Sequence, residues 1–215
     1  MIDNDKAAVK AAETLVKYGI KKSPVSVLPI LEQMDNVIVV SFAELSDSSG
    51  IKRSDLVPMF GKNRDAITSV HTKNGQSIYI VAYNRLLPFN MIQRALAREL
   101  GHIVLKHTES NADNAAEAET FVNHLLCPRP LVHAIQATGM RVTVDLLGNL
   151  TGAYEQSLYS MRHTPGTTVP SGLNLFVRSE FMPFILNFFD YHQYAMPKDV
   201  SALADFGSYM DGYVE

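Results

Sequence analysis

Tryptophan is missing from this chain, and cysteine occurs once, at Cys127. A single thiol excludes an internal disulfide framework, so the fold must rest on its hydrophobic core. Neither charge sign dominates: 19 Lys and Arg stand against 22 Asp and Glu, a formal charge of -3. With no basic run and no base-reading motif, direct nucleic-acid binding is not expected. Long hydrophobic runs are lacking too. The opening stretch, MIDNDKAAVKAAETLV, has no apolar core of a signal peptide, and no segment reads as a membrane span. The expectation is a cytoplasmic protein with no membrane association.

What is present is a globular composition. Apolar residues make up 47% of 215 positions, enough for one compact domain or a domain with a small appendage. Ala8, Val9, Ala12, Leu15 and Val16 form one face of a helix over residues 4–18, with Gly19 as its stop. A short helix over Val27 to Met34 and a buried strand over Val37 to Phe42 come next. Ser46 to Gly50 reads as a loop, with a helical piece around Asp55 to Phe60. Ile67 to Thr72 and Ser77 to Tyr83 are β-rich runs joined through Asn74-Gly75, a hairpin signal because both residues tolerate positive φ.

The centre of the chain is Asn90 to Pro128. Ile92, Ala95, Leu96, Glu99, Leu100, Ile103 and Val104 recur at helical spacing, and Asn90 with Gln93 has the layout of a capping box. Arg98 and His102 lie one turn apart, with Glu99 beside them. A polar loop, Thr108 to Asn114, separates this helix from a second over Ala115 to Leu126, which Pro128 discourages from continuing. The first helix approaches the H-E-x-x-H pattern, in which two imidazoles hold zinc and the Glu activates water. Arg98 stands at the first His position. A guanidinium stays protonated and has no free lone pair, so it supplies charge but cannot ligate.

These two helices resemble the ImmA/IrrE-type metallopeptidases, whose pattern is AHELGH followed by ExEAN-x-FA-x-x-LL-x-P. The matching residues are Ala97 to His102 and Glu117 to Pro128. The resemblance covers roughly residues 5–135, since a short helix, a PVxV segment and paired strands precede the motif helix in the family as well. It implies an α+β, zincin-like core over 1–135, with a small mixed sheet, the motif helix and a second acidic helix. A mostly helical extension over 136–215 would pack on that core. By resemblance, Glu99 matches the general base and His102 the second His ligand. Anchoring on Phe121 and on Leu125, Leu126 and Pro128 puts Ala115 at the third ligand, Glu117 at the second Glu and Glu119 at the Asn. A register slip of a few residues would bring Glu117 to the ligand position.

From this follow the expected site and the competing readings. The expected site is Arg98, Glu99, His102, Glu117 and Glu119. Arg98 is expected to fill the space of the missing metal and pair with Glu99, Glu117 or Glu119, with no cofactor bound. In the alternative, zinc is held by a rebuilt set of His102 with Glu117, Glu99, His107 or His124, and Glu99 serves as catalytic base. His107 otherwise reads as a helix-end His favoured by the dipole, and His124 as a surface or interface His. Tyr79 and Tyr83 are candidates for the wall of a peptide groove, because in zincin folds the strand before the motif helix often forms the edge along which substrate lies. Cys127 reads as packing. The resemblance implies a bacterial setting and, as partner, a peptide or a regulatory protein. The functional readings are a noncatalytic peptide binder, a zinc endopeptidase with a noncanonical ligand set, and a structural remnant.

Downstream the signals are coarser. Leu131 to Thr138 reads as a helix ending at Gly139, Val142 to Leu147 as strand or helix, and Thr151 to Met161 as a helix. Thr164 to Gly172, rich in Pro and Gly, reads as a linker, and His163 stays outside the site. The aromatic run from Leu173 to Tyr194 suggests a helix interrupted or bent at Pro183. It either closes the core or offers a face to another protein or to a second copy in a homo-oligomer. The tail from Asp205 to Glu215 reads as polar with scattered tyrosines.

Overall fold

A computed structural model describes residues 2–52, 55, 65–73, 75–109, 111–152 and 166–192. The fold is α+β, mostly helical with one three-stranded mixed sheet. It divides into two compact units interleaved in sequence, one from Ser26–Thr108 and the other from the described parts of Met1–Val25 and Glu109–Glu215. Neither junction coincides with the boundary expected after residue 135.

The middle unit holds the sheet. Strand β1 (Val37–Ser41) runs parallel to β3 (Gln76–Tyr83), and β2 (Ala66–Lys73) pairs antiparallel with β3, giving the order β1-β3-β2. The hairpin forms where the β-branched runs and Gly75, at φ 78°, require it. Helix α1 (Asn4–Lys17) belongs to the other unit, and α2 (Leu28–Glu32) opens this one with Pro29 in its first turn. Straight after β1 comes α3 (Phe42–Ser49), over residues expected to include a loop from Ser46 to Gly50. A capping box makes it: Ser41 Oγ accepts from the Glu44 N–H at 3.2 Å, and the Ser41 N–H donates to Glu44 Oε2 at 2.6 Å. Those bonds with Ser41 hold the Glu44 carboxyl below its ordinary value. The helical piece expected over 55–60 falls, Asp55 apart, outside the described residues.

Helix α4 (Phe89–Leu105) carries the motif residues. It starts at Phe89 after Pro88 with no side-chain cap, so the expected capping box of Asn90 and Gln93 does not form. Gln93 is buried instead, and its Oε1 accepts the Val27 N–H at 2.6 Å. That bond satisfies a backbone donor at the start of α2 and outweighs a local cap that solvent can replace. Leu96, Leu100 and Ile103 bury the same side of α4, which packs on β2 and β3.

The other unit is helical. Helix α1 packs on α5 (Ala112–Leu126) through Ala7, Ala8 and Ala11, small residues that allow close approach, and through the larger Leu15. Phe121 and Leu125 on α5 are fully buried. Helix α5 begins at Ala112, earlier than expected, because Asn111 Oδ1 caps it by accepting the Asn114 N–H at 2.8 Å. Helix α6 (Arg129–Ala137) follows at once, and the strand-or-helix alternative resolves as α7 (Val144–Thr151), capped by Thr143. The helix expected over 151–161 lies outside the described residues beyond Gly152.

Helix α8 (Ser171–Tyr191) runs through Pro183 as one helix rather than breaking there. Val177, Phe181, Ile185 and Phe189 recur every four residues on its buried side, against α6 and α1. Pro183 is exposed, off that stripe. The aromatic run thus closes a core in part, and the tail beyond His192 lies outside the described residues. Among them no helix is long and apolar enough to cross a membrane.

If the Gln93 bond anchors α4 to the chain entering α2, Gln93→Ala will leave the Val27 N–H without its acceptor. The expected cost is about 1–3 kcal/mol, read as a lower urea midpoint, with Gln93→Glu retaining an acceptor and losing less.

Candidate functional site

The motif residues sit on the second half of α4, where the helical period turns Glu99 inward and Arg98 outward. Glu99 is 9% exposed, while Arg98 is exposed. Arg98 forms no ion pair with Glu99. Of the partners expected for Arg98, namely Glu99, Glu117 or Glu119, Glu99 is therefore not one. Leaving the guanidinium in water avoids a large desolvation penalty, and the leucine stripe dictates which side faces in. Glu99 takes another partner: its Oε2 accepts the Thr68 hydroxyl at 2.7 Å.

Thr68 lies on β2, which the strand order puts at the sheet edge among the described residues. Strand β3, directly before α4, is the central one, so the expected relation of edge and motif helix falls to β2 instead. Thr68 pairs with Val81, and cross-strand partners share a face. Tyr79 and Tyr83, two positions either side of Val81, lie on that same face and are half-buried. As groove-wall candidates they are at the sheet's interior strand, with Thr68 between them and its edge.

His102 is half-buried one turn beyond Glu99. The helix then ends in a Schellman turn. The Lys106 N–H donates to the Ile103 carbonyl at 3.1 Å, and the His107 N–H to the His102 carbonyl at 2.9 Å. Lys106 adopts φ 61°, and this turn carries His107 back to His102, with the two Nδ1 atoms 2.9 Å apart. His107 is at the helix end as expected, but spacing alone hid its contact with His102.

The acidic residues of α5 are placed by the helical unit. Glu117 is buried, and its Oε1 accepts the Asp3 N–H at 2.8 Å, where the chain enters α1. Beside it, Thr120 donates to Asn4 Oδ1 at 2.9 Å. Glu119 is half-buried. Glu117 is thus held by a backbone donor at a helix entry, a favourable setting for a carboxylate. Comparison with protein-family profiles, curated proteins and solved structures finds no match.

The zinc set that the resemblance implies does not fit these donors. Arg98 stands at the first ligand position and Ala115 at the third. Among the described residues no group of three or more His, Cys, Asp and Glu side chains is arranged to hold a metal ion. No reaction step is derived through such an ion.

His124, expected at a surface or interface, is 8% exposed, within reach of Thr167, whose Oγ1 lies 3.0 Å from its Nε2. Arg129 donates to the Thr167 carbonyl at 3.1 Å, and Asp5 accepts the Thr168 N–H at 2.7 Å. Three side chains from α1, α5 and α6 thereby hold the extended segment before α8. Burial, reinforced by the charge of Arg129, pushes His124 down to about 4, so it stays neutral at pH 7. Cys127 is buried, and its thiol is pushed up to about 12 by burial, consistent with packing. Sequence reasoning missed Thr68, Asp3 and Thr167, which meet their partners only through tertiary pairing.

Two outcomes test this geometry. A double-mutant cycle of Thr68→Val and Glu99→Ala is expected to give a coupling of about 1–3 kcal/mol in urea unfolding; additive effects would mean that the bond contributes nothing. For His124, the unfolded chain takes up a proton as pH falls below the ordinary 6.5, whereas the folded chain resists until about 4. Stability from this group is therefore intact above 6.5, lost between 6.5 and about 4, and level below, a change on the order of 3 kcal/mol. His124→Gln should flatten that part of the stability–pH curve relative to wild type.

Proposed function

We propose that this is a peptidase-like protein that binds an extended peptide, or such a segment of a regulatory protein, without canonical zinc hydrolysis. The observation that carries this reading is the position of β2. It is one of the two edge strands among the described residues, and its Thr68 is bonded to Glu99 of the motif helix. An extended chain added to β2 would gain main-chain hydrogen bonds from the ladder and lie beside the zincin-like motif, the mode known as β-augmentation. The exposed Val70, on the Thr68 face of β2, offers apolar contact to such a chain. Arg98 supports the noncatalytic side of the reading, since it offers no lone pair where the related enzymes place their first His. Glu99 then acts as a fixed acceptor inside the site rather than as a base. The resemblance to ImmA/IrrE-type proteins supports a zincin-like core, a bacterial cytoplasmic setting and a regulatory partner.

The test is amide hydrogen exchange on the full chain with and without a pool of unstructured peptides. Binding is expected to slow exchange along β2, and Val70→Lys, which puts a charge on the edge strand, should weaken that protection at least severalfold. Cleavage of the peptides in the presence of zinc, abolished by Glu99→Gln, would overturn the noncatalytic reading.

A further inference from the structure

Helix α8 is apolar on more of its circumference than the side it buries against α6 and α1, and the surplus is ordered. Arg178, Met182, Leu186 and Asp190 follow at four-residue spacing, a ridge one residue on from the buried row of Val177, Phe181, Ile185 and Phe189. Leu186 is 42% exposed, Asp190 is exposed, and Arg178 and Met182 are half-buried. The next ridge outward starts at Leu175, 61% exposed, and continues through the smaller Ser179 and Pro183. The two ridges border an open groove of about 720 Å3. A helix that is apolar all round is ordinarily covered on every side.

The charges say what covers this one. The ridge reads cation, apolar, apolar, anion, and neither Arg178 nor Asp190 forms an ion pair among the described residues. Turned end for end, the same ridge reads anion, apolar, apolar, cation. A two-fold axis passing between Met182 and Leu186 therefore sets Arg178 of each copy against Asp190 of the other, and Met182 against Leu186. Two copies laid in the same direction would put cation on cation and anion on anion, which charge repulsion opposes. Ridges at four-residue spacing pack into the grooves beside like ridges, and the small Ser179 and Pro183 leave room for the incoming one.

We propose that this face of α8 is the contact of a symmetric homodimer, in which two Arg178–Asp190 pairs flank a centre of Met182 and Leu186. The surface belongs to the helical unit and uses neither β2 nor the motif helix, so it stands apart from the peptide reading. One helix face against another is at the small end of specific interfaces, and association in the micromolar range is expected.

The experiment is sedimentation velocity of the untagged full chain from about 1 to 200 μM. The mass is expected to rise from 23.8 kDa toward twice that value. Arg178→Glu and Asp190→Lys should each raise the dissociation constant at least about tenfold, because symmetry enters every like-charge contact twice. The double variant, with the charges exchanged, should return it to within about threefold of wild type. Should Arg178→Glu fail to fold, Asp190→Lys at the exposed end gives the same comparison. A chain that stays at 23.8 kDa throughout overturns the proposal, and so does a dimer that both reversals leave unchanged. A dimer lost in Val70→Lys while the α8 reversals are silent would put the contact at the β2 edge and overturn it as well. Peptide protection along β2 is read separately, so failure of one reading leaves the other intact.

Discussion

Helix α4 buries two polar side chains along with its leucines, and that constraint organises the middle unit. A buried Gln or Glu without a partner costs as much as a sizeable core defect, so each must be met by a group from elsewhere in the chain. Gln93 meets the backbone of Val27 and Glu99 meets the hydroxyl of Thr68. The first bond ties α4 to the entry of α2, and the second ties it to the far strand of the hairpin. Between them they fix how the helix is rotated on the sheet. That rotation sends Arg98 to solvent and leaves His102 beside the turn that follows.

The helical unit applies the same rule at its own junctions. Glu117 is engaged by the backbone at the start of α1, and Thr120 by Asn4 next to it. His124, Arg129 and Asp5 converge on Thr167 and Thr168. Burial lowers the affinity of both His124 and Arg129 for a proton, while Asp5 partly offsets this for Arg129. Charge placement here serves to hold an extended segment against three helices.

Periodic signals were legible in the sequence, and pairings were not. The alanine face of α1, the hairpin around Gly75 and the apolar stripe of α4 follow from local pattern and appear where expected. The α3 helix was hidden because Ser46 to Gly50 reads as a polar loop, while its capping residues lie earlier, at Ser41 and Glu44. For the site, Glu99 and His102 were identifiable from the motif, but not their partners. Thr68 lies 31 residues from Glu99, and Asp3 lies 114 from Glu117. A five-residue step does not stay on one helical face, so a continuous helix would keep His107 away from His102. Ending the helix at Lys106 removes that objection, and a lysine in the left-handed position leaves no glycine to announce it.

The interleaving of the units bears on how the chain is made. Ser26–Thr108 is continuous, so every strand and helix of the sheet unit is available once that stretch has emerged from the ribosome. Helix α1 precedes that stretch, yet the helices it packs on, α5 and α8, come after residue 109. Its alanine and leucine face must wait for them through the synthesis of the whole sheet unit, tens of seconds at most at typical elongation rates of about 5–20 residues per second. Helix α1 thus finds its place only after a whole folding unit that follows it in the sequence.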